Sequence, residues 1–259
     1  MPKPLHVHHK LNKGYGWKPG LPSQRFPLYS ARVDAAALPP LVDMRPQCPA
    51  VYDQGQLGSC TGNAWAGLVE FLLLKQGLTD FTPSRLFIYY NERVLENDTA
   101  QDAGAAISDG ANVVSTEGCP NETLWPYNIA TFSEKPPQGA YQDGLKHLAF
   151  GVQQVQQNLT AMKEVLASGL PIVVGFTVYQ SFESDQVTQT GIVPMPGHHE
   201  QVLGGHAVVV VGYDDSQSRF IVRNSWGTQW GQKGYFLMPY AYLTNHRLSS
   251  DFWSANRTE

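Results

Sequence analysis

Only three cysteines, Cys48, Cys60 and Cys119, occur in the 259 residues. That is too few for a disulfide-built scaffold, and the odd number leaves at least one thiol free. No run approaches the roughly 18 apolar residues that a membrane-spanning helix needs. Positive charge is not in excess either: 18 Lys and Arg against 22 Asp and Glu leave a net charge of −4, and no basic stripe marks a nucleic-acid surface. Met1 to His6 lack the apolar core of a signal peptide. This leaves open a cytosolic protein, or a secreted or periplasmic one whose leader is absent from the chain. Internal repeats and long low-complexity segments are also missing. The 42% of hydrophobic residues suffices for one sizeable domain or two lobes sharing a cleft.

Chemistry concentrates around Cys60. The stretch Asp53-Gln54-Gly55-Gln56-Leu57-Gly58-Ser59-Cys60 precedes a segment, Thr61 to Gln76, in which Ala64, Trp65, Leu68, Phe71 and Leu72 recur at helical spacing and Gly77 supplies a stop. A cysteine at a helix start sits at the positive end of the dipole, which favours the thiolate. The same position also suits a small buried residue. Gln54, six positions earlier, can aim an amide donor at the same spot. Farther along, Gly204-Gly205-His206-Ala207 opens a strand-like run to Tyr213, and Arg223-Asn224-Ser225-Trp226-Gly227 follows a second short apolar run. Thiol, imidazole, amide orienter and amide donor are the parts of a nucleophilic acyl-transfer centre.

With these residues in order, the chain resembles the papain family of cysteine peptidases from about Leu38 to the C-terminal region. The anchors are Val42-Asp43-Met44-Arg45, Gln54 with Gly58-Ser59-Cys60, Trp125-Pro126-Tyr127, Gly205-His206-Ala207, and Asn224-Ser225-Trp226-Gly227 with Trp230-Gly231 and Gly234-Tyr235. His206 falls inside the window of about 130–150 residues after the cysteine seen in papain-like enzymes, and Asn224 just beyond it. The resemblance implies an α+β, two-lobed fold with a helical first lobe (about 41–143), an antiparallel β-barrel-like second lobe (about 144–259) and the active site between them. It implies Cys60 as nucleophile, His206 as general base and acid, Asn224 as orienter of the imidazole, Gln54 as oxyanion-hole donor and Trp226 as a shield for the His–Asn bond. Counting from Trp125 puts Gly104 and Ala105 where the family pairs with substrate backbone. Ile107, Gly175 and Ala207 fall at the main specificity pocket, whose small apolar walls suit a hydrophobic side chain at the second residue before the cut bond. The implied partners are peptide or protein substrates, with no cofactor, nucleic acid or membrane, and the protein is expected to act as a monomer.

Some positions depart from the family pattern. Thr61 replaces the usual tryptophan after the nucleophile, and the common disulfide would join Leu57 to Asp102, neither a cysteine. Gly205 replaces a residue that is often polar. Cys48 and Cys119 can pair or stand as two free thiols. Helices are expected at Thr61 to Gln76, at Pro83 to Leu95 with Thr82 as cap, at Ala105 to Val114 and at Leu159 to Ala167. Strands are expected at Pro171 to Val178, Ala207 to Tyr213, Phe220 to Arg223 and Tyr235 to Met238.

Residues 1–37 form an arm rich in proline, glycine and basic or aromatic residues, distinct from the domain at 38–259. Its composition fits a disordered tail. It also fits a short autoinhibitory pro-segment of a zymogen, with Gly14-Tyr15-Gly16-Trp17-Lys18-Pro19 laid in the cleft. The arm is too short for the helical pro-domains of the animal and plant branches, so the resemblance is to the bacterial branch. His198-His199-Glu200 and His6, His8 and His9 lack a complete metal-ligand set and read as exposed histidines. Acceptor patterns at Asn97, Asn121, Asn158 and Asn256 carry meaning only in a secreted eukaryotic protein. Two other readings remain: a non-catalytic papain-like binding module, against which the intact Cys60, His206, Asn224 and Gln54 count, and another Cys-His acyl-transfer enzyme. A transglutaminase or arylamine acetyltransferase usually completes its triad with Asp, unlike the Asn224 context here.

Overall fold

The apolar stretch after Cys60 folds as helix α1 (Cys60–Gln76), and its burial on nearly every side explains its richness in Leu, Val and aromatic residues. Gly77 ends it at φ 66°, its N–H closing onto the carbonyls of Leu73 and Leu74, a left-handed geometry that glycine adopts without strain. The structure, a computed structural model, describes residues 13–20, 24–30 and 38–259. On one side α1 packs against α2 (Arg85–Leu95) and α3 (Ile107–Thr116), and on the other against the sheet.

Two expected helix starts move. Helix α2 begins after Ser84, not Thr82, because Ser84 is extended and its Oγ accepts the Phe87 N–H at 3.2 Å, while Pro83 bridges to Asn121. The segment expected to be helical from Ala105 opens instead with two strand residues. These form β3 (Ala105–Ala106), which pairs in parallel with β1 of the arm (Trp17–Lys18).

After helix α4 (Gln138–Gly144), β4 (Ala149–Phe150) pairs separately with β11 (Arg257–Thr258), and the second half is built on a seven-stranded sheet. Its main path runs β5 (Gln153–Gln154), β10 (Ser249–Ser254), β6 (Ile172–Tyr179), β7 (Val202–Asp214), β8 (Arg219–Arg223) and β9 (Tyr235–Pro239), and β2 (Leu41–Asp43) adds to β7. All these pairings are antiparallel. Helix α5 (Leu159–Ala167) forms where its spacing predicts and lies against β6 and β7. Asn158 caps it, the side chain accepting the Ala161 N–H. Register across the central pair sets Gly175 opposite Ala207 and Phe176 opposite His206, which fixes where the imidazole emerges.

All three cysteines are free, so the candidate Cys48–Cys119 pair does not form. Cys48 ends a short 3-10 turn with its Sγ donating to the Met44 carbonyl at 3.4 Å. Cys119 is fully buried beyond α3, where its N–H meets the His147 carbonyl. The two thiols serve different packing sites.

Candidate active site

Cys60 is the first residue of α1, and no part of it is exposed. Backbone N–H groups of Ala207, Gly16 and Thr61 reach its thiol, so the sulfur lies beside the strand that carries His206. His206 is also fully buried. Its Nε2 lies 2.8 Å from Asn224 Oδ1, an oxygen that also accepts the Ser225 N–H at 2.8 Å and so cannot rotate freely. The other ring nitrogen, Nδ1, has no oxygen or nitrogen partner. With Nε2–H directed at Asn224, Nδ1 carries the lone pair.

Trp226 stacks on the imidazole at 4.9 Å between centroids with planes 28° apart. Phe182 and Trp230 back the indole in turn. Gln54 is held from several sides: its N–H donates to the Ser225 carbonyl at 2.9 Å, its Oε1 accepts the Ser225 hydroxyl at 2.5 Å, and its Nε2 donates to the carbonyls of Leu57 at 2.9 Å and Gly14 at 3.0 Å.

The arm occupies this site. Gly14 offers its carbonyl to Gln54, Tyr15 sets its ring edge-on to His206 and Trp226, and Gly16 presents its N–H to Cys60. The Gly16 carbonyl then accepts the Ala105 N–H at 2.7 Å, and Trp17 follows as a 7% exposed side chain in the core. Several glycines make this approach geometrically feasible. A Cβ on Gly104, whose φ is 75°, would stand 2.0 Å from the Gly16 carbonyl oxygen, and one on Gly175 would stand 2.0 Å from the Trp17 ring. Burial pushes the Cys60 thiol up to about 12 and the His206 imidazole down to about 4.

Of the expected substrate-contacting residues, Gly104, Ala105 and Gly175 all line the arm's path, and Ala207 faces the thiol through its N–H. Ile107 is fully buried at the start of α3, with its carbonyl taking the Trp65 indole N–H. The sequence reading did not anticipate the carboxylates that hold the arm: Asp53 pairs with Lys13 at 2.8 Å, Glu183 accepts from Tyr15, Glu96 pairs with Lys18 at 2.5 Å, and Asp251 accepts from Trp17 at 3.1 Å. Isolated carboxylates in unpatterned segments carry no signal. Thr61 donates to the buried Glu92 at 2.6 Å, which accounts for the packing beneath the helix start. Asp102, at one end of the absent disulfide, accepts the Gly58 N–H at 3.0 and 3.1 Å and the Tyr89 hydroxyl at 2.5 Å. A carboxylate thus ties the loop before Cys60 where a bridge would have done so. Among the described residues no group of acidic, histidine or cysteine side chains could hold a metal ion. His6, His8 and His9 lie outside the described residues.

The antiparallel sheet packed on a helical half, with a buried cysteine at a helix start facing a histidine strand, defines a thiol protease of the papain type. The chain belongs to the papain family of cysteine proteases, whose model matches residues 38–251. It is a cysteine endopeptidase, a hydrolase acting on peptide bonds. The structure is similar to that of xylellain, a cysteine protease from Xylella fastidiosa, with a TM-score of 0.91 and 39% identity over 96% of this chain and 97% of that one. In sequence it is 45% identical over 217 residues to a peptidase C1-like protein of Acanthamoeba polyphaga mimivirus, covering 80% of this chain and 70% of the relative. A cathepsin B-like protein of Giardia intestinalis is 31% identical over 220 residues, covering 79% and 70%.

Proposed function

We propose that Cys60, His206, Asn224 and Gln54 carry peptide-bond hydrolysis and that the arm, residues 1–37, inhibits the peptidase domain, residues 38–259, until it leaves the cleft. In the open cleft the Cys60 thiol gives its proton to His206 Nδ1, forming a thiolate–imidazolium pair, and the thiolate attacks the substrate carbonyl carbon, whose oxygen takes up negative charge on the way to an acyl-enzyme. Gln54 Nε2 and the Cys60 backbone N–H stabilise that oxygen. When the C–N bond breaks, His206 returns the proton to the departing amine. Water, deprotonated by the same imidazole, then cleaves the thioester and restores the thiol. Asn224 keeps the proton on Nε2, so that Nδ1 is always the working nitrogen, and Trp226 keeps water off that bond.

The observation that carries the inhibitory reading is what the arm presents to each group. It offers the Gly14 carbonyl to Gln54 and the Gly16 N–H to Cys60. With both groups engaged by the arm, a substrate carbonyl has no place to dock between them until the arm leaves. Gly104, Ala105, Ile107, Gly175 and Ala207 are assigned to substrate binding, with a pocket suited to an apolar body at the second residue before the cut bond. The Trp17 indole seated against Gly175 supports this.

Two assays test the reading together: hydrolysis of a fluorogenic dipeptide amide and alkylation of Cys60, with the full chain and with a chain lacking residues 1–37. Cys60→Ala should abolish hydrolysis, and removing the arm should raise both rates. Unchanged rates without the arm would refute inhibition and leave the peptidase assignment standing.

A further inference from the structure

The arm crosses the cleft at Gly16, which meets the Cys60 thiol, and leaves an imprint on either side. Trp17 lies on the side of Gly175, and Tyr15 stands on the other side against His206 and Trp226. His206 is the group that hands a proton to the departing amine. The space that Tyr15 fills therefore receives the first residue after the cut bond. Its floor is bare backbone, since a Cβ on Gly204 would stand 2.9 Å from the Tyr15 Cβ. Its walls are rings: the Tyr15 centroid lies 6.1 Å from that of His206 and 6.0 Å from that of Trp226, both edge-on.

The end of this space is a carboxylate. Glu183 accepts the Tyr15 hydroxyl. Burial, and then the Glu183 carboxylate, hold that phenol far above its ordinary value, so it stays a donor. Among the described residues the Glu183 carboxylate has no other hydrogen-bond partner or ion pair.

Glu183 closes a short 3-10 turn (Gln180–Glu183) directly after β6, and that turn is pinned on several sides. The Gln180 N–H donates to the Gln201 carbonyl at 3.0 Å, and Glu200 accepts the Ser181 N–H and, at 2.8 Å, the Gly197 N–H. Phe182 is buried among Phe176, Trp226 and Trp230. The acid of the His198-His199-Glu200 group is thus spent on holding the turn. When the arm leaves, Glu183 stays at the end of a ring-walled space and loses its donor.

We infer that Glu183 is a specificity-determining residue that makes the leaving-group side of the cleft select tyrosine as the first residue after the cut bond. The ring packs edge-on to His206 and Trp226 while its hydroxyl donates to the carboxylate, a hydrogen bond of the stronger, charge-assisted kind. Phenylalanine matches the walls and leaves Glu183 unpaired. Lysine brings a charge, but its flexible stem gives two aromatic walls less contact and loses more rotamer freedom. The substrates are therefore peptides cut in front of tyrosine. The inference rests on the peptidase reading.

The test uses the full chain and three internally quenched peptides that differ only at that residue: tyrosine, phenylalanine and lysine. Product masses identify the bond that is cut. All three peptides face the same arm, so the open fraction cancels from the ratios of kcat/KM. The native chain should cut the tyrosine peptide roughly tenfold faster or more than either of the others, because a site built around a polar group rejects a ligand that leaves it unpaired. Glu183→Ala should bring the ratio of tyrosine to phenylalanine close to one. Phenylalanine or lysine cut as fast as tyrosine by the native chain, or a ratio unmoved by Glu183→Ala, would overturn the inference alone. The native ratios decide the matter even where the variant fails to fold. A Cys60 that reacts with iodoacetamide in a chain that cuts none of the three would overturn the peptidase reading and this inference with it.

Discussion

Trp17→Ala should unlock the active site, and its size can be worked from the packing. Trp17 is 7% exposed, with its ring against Gly175 and its Nε1 bonded to Asp251. A tryptophan buries on the order of 200 Å², and at about 25 cal/mol per Å² its transfer is worth about 5 kcal/mol. Alanine keeps part of that area, and a tethered arm stays partly in contact when released, so about half is a fair expectation for closing the arm, about 2–3 kcal/mol. At 1.4 kcal/mol per tenfold, the open fraction rises by roughly 30- to 140-fold. Because Cys60 is 0% exposed beneath the arm, iodoacetamide reaches it through the open form, and its labelling rate should rise by the same factor. Trp17→Phe, which keeps the ring but loses the indole N–H, should fall between. Native and Trp17→Ala chains labelling within about twofold of each other would mean that Trp17 burial does not control access.

Three other perturbations have definite signs. Burial raises the Cys60 thiol to about 12, and the arm completes that burial, so the closed state holds the protonated thiol better than the thiolate. Its hold is strongest at low pH and weakens as pH climbs through the uncovered thiol's own value, and alkylation of the full chain should keep rising through the alkaline range. A plateau near neutral pH would contradict this. Glu92 is fully buried, with burial pushing it up to about 8. Folding therefore favours its protonated form, which stabilises fully below an unfolded value of about 4.3, and that contribution is lost as pH rises to about 8. Melting temperature should drop over that window by an amount reflecting several kcal/mol, and Glu92→Gln should flatten the drop; an equally steep profile in the variant would rule Glu92 out. Asn224→Ala frees the imidazole to turn and should lower kcat/KM at least tenfold, a modest figure for an orienting residue. An unchanged kcat/KM in that variant would remove Asn224 from the mechanism.

What could be read from the chain depended on whether a residue's neighbours advertise it. Cys60 stands between a glycine-bearing loop and a helix that announces itself by period, and His206 opens an apolar run. Asn224 lies in a dense Trp and Gly context. Each is locally legible, and the structure brings them to one place through α1 and the β7–β8 pair. Segment ends were less legible, since Thr82-Pro83 and Ser84 both carry capping chemistry, and only the extended Ser84 with its bond to Phe87 decides between them. The compensations were not legible at all. Leu57 and Asp102 show that a bridge is missing, but not that Asp102 reaches the Gly58 N–H across 44 positions to tie the same loop. Asp251 is farther still from any pattern, a single carboxylate turned by an irregularity in β10 toward a ring 234 positions away. Such residues act through long-range juxtaposition alone. Thr61 belongs with them. Its hydroxyl meets Glu92 beneath the helix start, so the chain keeps the catalytic groups in place while burying an ionisable acid there. That acid couples the stability of the fold to pH directly behind Cys60.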